Sequence, residues 1–553
     1  MLERFLRKQG KELEFNVPDH FNFAYDVVDV WAQEAPDKTA LIWTSDTEPE
    51  RRMSFADLKR ESDKVAGYLS GLGIGRGDFV MLILKRRLPF WTTMLALEKI
   101  GAVAIPATFL LTAHDIIYRC KSAEIKAIIC CGDEDILQKV ADAEPKCPYL
   151  ERLISIGPEV PEGFEDFEAG VAAAEPWVRG DWKNESEDPM LMYFTSGTSD
   201  EPKMVMHSHT YALSHLVTAA YWHQLTPDSI HFTYSDTGWG KAVWGKLYGQ
   251  WIVGAAVFVY DHEKFVPAEL LALIGKYRIT SFCAPPTIYR FLIKEHFNCF
   301  DLSSLKHCTT AGEALNPSVF EEFHRRTGLW IYEAFGQTET TLTLGTFPWV
   351  KPRPGSMGMP SPAYDIDILT PEGRPAAPGE RGVIVIRTDR KRPIGLFLGY
   401  YRNPKLTRKA WHDGVYYTGD VAYRDEDGYF WFEGRTDDLI KTSGYRVSPF
   451  EVESAVMGHP AVVECAVTGI PDPEEVRGTV VKATIVVAAE YKKQLADELS
   501  RKALIKDIQD FVKRITAPYK YPRVIEFADA LPKTISGKIR HVEIRDRDSR
   551  QRA

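Results

Sequence analysis

Apolar residues fall at three- and four-residue spacing over residues 54–70, which predicts an amphipathic helix, and Gly71, Gly73, Gly75 and Gly77 close it. A nearly unbroken apolar run at 79–84 predicts a buried strand. A helix opened by Pro89 follows at 89–100, and a second strand-like run, 103–106, lies beyond Gly101. A helical patch at 25–34 precedes this series and a short apolar run at 125–130 extends it. Runs at 252–260, 281–284 and 308–311, each followed by a helix signal, repeat the alternation. Strands and helices alternating over short connections predict α/β layers on a parallel sheet. Beyond Phe347, proline and glycine become dense as far as Gly382. Residues 383–387 and 429–433 then alternate like antiparallel strands, so 348–433 predicts a small β subdomain. A charged turn at 434–438 precedes strands at 461–469 and 480–487 and a helix at 495–516. The fold class is therefore α/β. A large N-terminal domain of α/β layers with a small β subdomain spans 1–433, and a smaller C-terminal α+β domain spans 439–553.

Composition changes this picture little. With 44% hydrophobic and 26% charged residues the chain is an ordinary globular protein, which excludes disorder, collagen and coiled coil. A net charge of −9 argues against nucleic acid as a partner. The residues from Gly434 onward are slightly basic, 21 against 18 acidic, which suits an anionic ligand. The eight cysteines are scattered, with no CxxC and no zinc spacing, and read as reduced thiols. The start is charged and lacks a signal-peptide core, and the most apolar run, 247–260, is shorter than the roughly 20 residues of a membrane span. These features predict a cytoplasmic protein with no transmembrane segment.

The chemistry concentrates in five segments. Thr195-Ser196-Gly197-Thr198-Ser199-Asp200-Glu201-Pro202-Lys203 follows an apolar strand. Its hydroxyls, glycine and lysine suit an anion cradle, though it is not a Walker A loop. Tyr332-Glu333-Ala334-Phe335-Gly336-Gln337-Thr338-Glu339-Thr340 offers an aromatic for stacking, a hydroxyl and a carboxylate able to hold Mg²⁺. Tyr416-Tyr417-Thr418-Gly419-Asp420 places a carboxylate, which accepts two hydrogen bonds, after a tight turn. Gly434-Arg435-Thr436-Asp437-Asp438-Leu439-Ile440-Lys441-Thr442-Ser443-Gly444 and Pro532-Lys533-Thr534-Ile535-Ser536-Gly537-Lys538 complete the set. Singly each is an ordinary turn.

In this order and at these distances the five segments resemble the adenylate-forming superfamily of acyl-CoA synthetases, peptide-synthetase adenylation domains and luciferase, over about residues 25–548. Within it, Ser235-Asp236-Thr237-Gly238-Trp239 and the stretches 442–453 and 516–527 look most like medium-chain-type acyl-CoA synthetases of bacteria and archaea.

The resemblance implies two half-reactions: carboxylate and ATP give acyl-AMP and pyrophosphate, and the thiol of coenzyme A then displaces AMP. It implies that Thr195, Ser196, Gly197, Thr198, Ser199, Asp200, Glu201, Pro202 and Lys203 hold the β- and γ-phosphates; Asp200 stands where the family usually has glycine. Gly312, Glu313 and Ala314 would line adenine, with Glu333, Ala334, Phe335, Gly336 and Gln337 beside it and Phe335 stacked on it. Thr338 would touch the α-phosphate or the acid, Glu339 would bind Mg²⁺, Asp420 and Arg435 would hold the ribose, and Arg446 would lie near the phosphate. Lys538 would be catalytic in adenylation. Asp437, within 434–438, would be the hinge on which a mobile C-terminal domain turns. Ser443, Gly444, Tyr445, Arg477, Lys513, Tyr521, Pro522 and Arg523 would meet coenzyme A. Trp239, Gly240 and Trp244 would shape an acyl pocket for short or medium, branched or cyclic acids, with Trp251 in the core and Lys241 and Lys246 at the surface. The expected protein is an AMP-forming acyl-CoA synthetase of fatty acid metabolism, monomeric or homo-oligomeric, usable also in the ATP-forming direction. The rival readings are an enzyme loading a separate carrier protein and a non-catalytic nucleotide-binding protein.

Overall fold

The computed structural model describes the chain apart from residues 10–11, 196–200, 314, 437, 443–444, 474–478, 518–519, 534–538 and 551–553. By packing, the chain divides into two units. One comprises Met1–Ile366 with Arg387–Tyr416, and the other Asp367–Ile386 with Tyr417–Ala553.

The first unit contains an eight-stranded sheet ordered Gly399–Tyr400, Lys203–Ser208, Pro189–Thr195, Val103–Pro106, Phe79–Ile83, Ala127–Cys131, Arg152–Ile156 and Glu165–Asp166. Its inner strands are parallel, and Pro189–Thr195 and Lys203–Ser208 form an antiparallel hairpin. Ala127–Cys131 is buried throughout, which is why it reads as an unbroken apolar run. The helix Phe55–Gly71 starts where Ser54 and Asp57 form a reciprocal capping box. A second run of strands in this unit is ordered Ser356–Pro360, Leu342–Gly345, Ile331–Gly336, His307–Ala311, Ser281–Cys283, Ile230–Thr233, Ala256–Asp261, Thr39–Ser45 and Arg51–Ser54. The five from Ile331–Gly336 to Ala256–Asp261 are parallel, and Phe232, Phe258, Phe282 and Ile331 join its apolar core. The strand expected at 252–260 begins later. Residues Tyr248–Val253 are helical, Gly254 at φ +86° ends that helix, and the strand is Ala256–Asp261.

In the second unit, Asp420–Arg424, the later part of the strand Val415–Arg424, pairs antiparallel with Phe430–Arg435. Val462–Pro471, Thr479–Val487 and Val524–Phe527 form a mixed sheet on which helices Pro449–Met457 and Glu498–Ile515 pack, with Val452, Ile485, Ile508 and Val512 at the core. All eight cysteines are free. Among the described residues no helix is long and apolar enough to cross a membrane.

Candidate active site

In the first unit, motifs far apart in sequence meet at the carboxyl ends of the parallel strands. The phosphate-cradle segment is the connection of the hairpin, with Thr195 ending one strand opposite Lys203 starting the next. Residues 196–200, and Asp200 among them, lie outside the described residues. Pro202 is fixed by its carbonyl, which accepts from the Tyr118 hydroxyl at 3.2 Å. The Lys203 ammonium lies 5.4 Å from the centroid of the Tyr400 ring, and the Tyr400 hydroxyl donates to Glu339 Oε1 at 2.7 Å. One tyrosine thus links the cradle lysine to the carboxylate of the second motif.

The turn carrying Thr338 and Glu339 is held from several sides. Gln337 N–H donates to Thr340 Oγ1 at 3.0 Å, the Tyr416 hydroxyl donates to Gln337 Oε1 at 2.8 Å, and Phe397 N–H donates to the Glu339 carbonyl at 2.8 Å. Thr341 N–H donates to the Tyr364 hydroxyl at 2.9 Å. His207 Nε2 lies 2.8 Å from the Thr338 carbonyl, an acceptor, so Nε2 carries the proton. Burial pushes the His207 pKa down to about 3, so the ring is a neutral donor. It stacks on Tyr211 at 3.9 Å.

The strands His307–Ala311 and Ile331–Gly336 are parallel neighbours with Ala311 opposite Ala334, so Gly312 and Glu313 emerge beside Phe335. Gly312 adopts φ +100°, which only glycine takes without strain. Glu313 accepts from the Thr287 hydroxyl at 3.1 Å. Glu333 is buried and accepts from Leu315 N–H at 3.1 Å, and burial pushes its carboxyl up to about 8, so at neutral pH it is largely protonated. Gly336 has no room for a side chain. A Cβ there would lie 2.5 Å from both the Thr341 carbonyl oxygen and the Trp244 indole. Ala314 lies outside the described residues.

The loop before the expected acyl pocket is anchored by buried charge. Asp236 faces Arg86 at 3.5 Å and accepts from Gly238 N–H at 2.9 Å, and the Thr237 hydroxyl donates to the Lys85 carbonyl. A Cβ on Gly238 would lie 2.2 Å from Thr108 N, so the loop packs directly on the neighbouring strand end. Trp239 and Gly240, next in the chain, are half-buried. Trp244 is 8% exposed and Trp251 is fully buried, its Nε1 donating to the Ala40 carbonyl. The surface placement expected of Lys246 is corrected. It is 1% exposed, donates to the Ser235 carbonyl at 2.6 Å, and burial pushes its pKa down to about 7. Half-buried Lys241 donates to the Ala311 carbonyl at 2.8 Å.

In the second unit, Asp420 and Arg435 are cross-strand partners with Nη1 3.5 Å from Oδ1. Gly419, at φ +76°, leaves space for the guanidinium, whose Nη2 lies 3.0 Å from where a Cβ would stand. Lys513 and Arg523 flank the Tyr521 ring at 4.3 and 5.0 Å, and the Pro522 carbonyl accepts from Gln509. Asp437, Ser443, Gly444, Arg477 and Lys538 lie outside the described residues, and Tyr445 and Arg446 are described only as part of the strand Tyr445–Val447. His207, Tyr400, Arg86 and Asp236 carry structural roles that the motif reading misses. Their partners lie far off in sequence, 131 residues for His207 and Thr338, so no local signal marks them.

Comparison with known proteins is consistent with this geometry. The model of the AMP-binding enzyme family matches residues 28–401, and that of the AMP-binding enzyme C-terminal domain matches 451–538. The chain is 42% identical over 546 residues to the mitochondrial acyl-coenzyme A synthetase ACSM3 of Pongo abelii, covering 97% of this chain and 91% of the relative. It is 41% identical to the Homo sapiens protein of the same name, with the same coverage. Among solved structures it is similar to the anthranilate CoA ligase AuaEII in complex with anthranoyl-AMP, at 30% identity and TM-score 0.86, covering 97% of this chain and 99% of that one. It is also similar to a benzoate CoA ligase from Burkholderia xenovorans, at 25% identity and TM-score 0.81, covering 95% and 100%. These two curated relatives are mammalian, where the motifs point to bacterial and archaeal enzymes. They also overturn the cytoplasmic expectation, since they are named as mitochondrial proteins. Reduced thiols and a start without a signal-peptide core do not separate one reducing compartment from another.

Proposed function

Because the chain belongs to the AMP-binding enzyme family and is an AMP-forming acyl-CoA synthetase, we propose that it activates short or medium, branched or cyclic carboxylic acids of fatty acid metabolism. ATP and coenzyme A are its co-substrates. The observation that carries the assignment of its residues is the meeting of Lys203, Tyr400 and Glu339 with the turn that His207 holds.

In this reading the 195–203 segment takes the β- and γ-phosphates, with Lys203 supplying a point charge. Thr338 meets the α-phosphate or the attacking carboxylate, and His207 fixes the turn that presents it. Gly312, Ala314 and Phe335 seat adenine, and Asp420 with Arg435 takes the ribose hydroxyls. Every reactant is anionic, so the work is positioning and charge neutralisation, and no enzyme nucleophile is needed. Glu339 fits Mg²⁺. Among the described residues no group of three acidic, histidine or cysteine side chains gathers, and one carboxylate plus substrate phosphates and water is an ordinary magnesium set. Bound there, the ion would neutralise phosphate charge. Lys538 supplies the cation for adenylation, and the C-terminal domain, residues 439–553, swings about Asp437 in the 434–438 hinge before thioester formation. Ser443, Gly444, Tyr445, Arg477, Lys513, Tyr521, Pro522 and Arg523 then serve coenzyme A.

Half-buried Trp239, on its anchored loop, is the proposed wall against long straight chains. The names of the anthranilate and benzoate ligases support cyclic acids as substrates. Running in reverse, the same site would form ATP. The test is AMP release from Mg-ATP with and without coenzyme A, across acetate, butyrate, 2-methylbutyrate, hexanoate, octanoate, benzoate and cyclohexanecarboxylate. Coenzyme-dependent release with branched or cyclic acids is expected. Turnover confined to octanoate would refute the pocket reading.

A further inference from the structure

At the end of the eight-stranded sheet remote from the phosphate cradle lies a cavity of 740 Å³. It touches Phe79, Val103 and Pro189, the first residues of three neighbouring parallel strands, whereas the cradle leaves from the last residue of Pro189–Thr195. Seven residues at roughly 3.3 Å each separate the two ends by about 20 Å.

The walls are specifically built. Trp182 packs on Gly101, the left-handed residue closing the helix Pro89–Ile100, where a Cβ would lie 2.5 Å from the indole. The Arg76 guanidinium sits 5.0 Å from the Trp182 ring and 3.5 Å from Asp188. Phe79 and Tyr401 rings meet at 5.2 Å on another side. Three arginines line the cavity. Arg76 is offset by Asp188 and Arg402 by Glu124, while exposed Arg408 has no ion pair among the described residues. The surroundings are thus aromatic and aliphatic with one positive charge in excess, which suits a flat apolar body bearing a single negative charge.

The floor reaches the other end of the sheet. Tyr400 lines the cavity while its hydroxyl holds Glu339, and Met206 lines it while the next residue, His207, holds Thr338. An occupant that favours one placement of the paired segments Gly399–Tyr400 and Lys203–Ser208 favours one placement of that turn.

We propose that this cavity is a second small-molecule site, for a flat aromatic monoanion, and that its occupancy changes the affinity for Mg-ATP through Tyr400 and His207. The binding is independent of the roles proposed above for Thr338 and Glu339, and the change in affinity rests on them.

The probe is 2-naphthalenesulfonate, which has no carboxylate to activate. Titrated calorimetrically into the full chain with saturating AMP, it should bind at one site per chain. Arg408→Glu and Trp182→Ala should each weaken it by about tenfold, with turnover in the absence of probe within about twofold of the parent. Arg408 is exposed, so its variant tests the site even if Trp182→Ala fails to fold. In the parent, the KM for Mg-ATP should move by about threefold or more on adding the probe, and in Arg408→Glu it should not. Absence of saturable binding, binding indifferent to Arg408→Glu, or competition by a substrate acid would overturn the site. Binding that depends on Arg408 with an unmoved KM would overturn the coupling alone.

Discussion

Tyr400 spends its hydroxyl on a carboxylate and its ring face on an ammonium, so removing only the oxygen isolates one of the two contacts. A hydrogen bond to a charged acceptor contributes about 1.5–3 kcal/mol, so Tyr400→Phe should raise the KM for Mg-ATP by about tenfold and alter kcat less. Steady-state kinetics over a magnesium series checks this, and an unchanged KM would remove Tyr400 from the metal's surroundings. His207 acts one step further back, through the Thr338 carbonyl. His207→Ala should lower kcat/KM by about a hundredfold, a loss on the order of 3 kcal/mol, while His207→Asn, which keeps a donor, should recover part of it. Equal loss in both variants would reduce the histidine to a packing residue. Because its ring is neutral when folded, neither effect should depend on pH between 6 and 8.

Among the elements, the helix Phe55–Gly71 rests on a local device, the Ser54–Asp57 capping box. Ser54→Ala should cost about 1 kcal/mol in urea unfolding with activity unchanged, and a cost near zero would show that tertiary packing alone sets that helix. That helix was legible because its signal is local, apolar spacing closed by a run of glycines. The strand at Ala256–Asp261 was legible only in part. The helix Tyr248–Val253 before it is as fully buried as the strand, and where both faces are covered, periodicity no longer distinguishes helix from strand. The site divides in the same way. Segments whose chemistry is contiguous, 195–203 and 332–340, announce themselves. His207, Tyr400 and the Arg86–Asp236 pair do not, because their function comes from contacts formed by strand order, and Lys246 looked like a surface lysine because its buried partners lie on other elements.

At the scale of the molecule, buried histidines set an acid limit. Burial pushes His207 and His231 down to about 3 and His209, His262 and His307 to about 4, below the unfolded value of about 6.5. The unfolded chain therefore binds these protons first. The stability is intact above pH 6.5 and is lost as pH falls toward 4, by up to about 1.4 kcal/mol per pH unit for each ring still neutral in the folded state. Glu98 and Glu333, pushed up to about 8, act the other way, as do Asp26, Asp29, Glu168, Asp236, Asp261 and Glu433, whose carboxyls burial also raises, so they offset part of this loss. The melting temperature should fall from pH 6.5 to 5, and a flat profile would mean that the rings are hydrated. The proposed swing of the C-terminal domain has its own signature. Lys538→Ala should cripple adenylation yet largely spare thioester formation from supplied acyl-AMP, whereas equal loss in both would sink it. Finally, Gly336 lies bare against Trp244, so the strand proposed to seat adenine and the wall proposed to receive the acid share one surface. Engineering a broader substrate range at Trp244 would then be bought with nucleotide affinity. Trp239, on a loop anchored by its own charges, is the position from which selectivity can be redesigned alone.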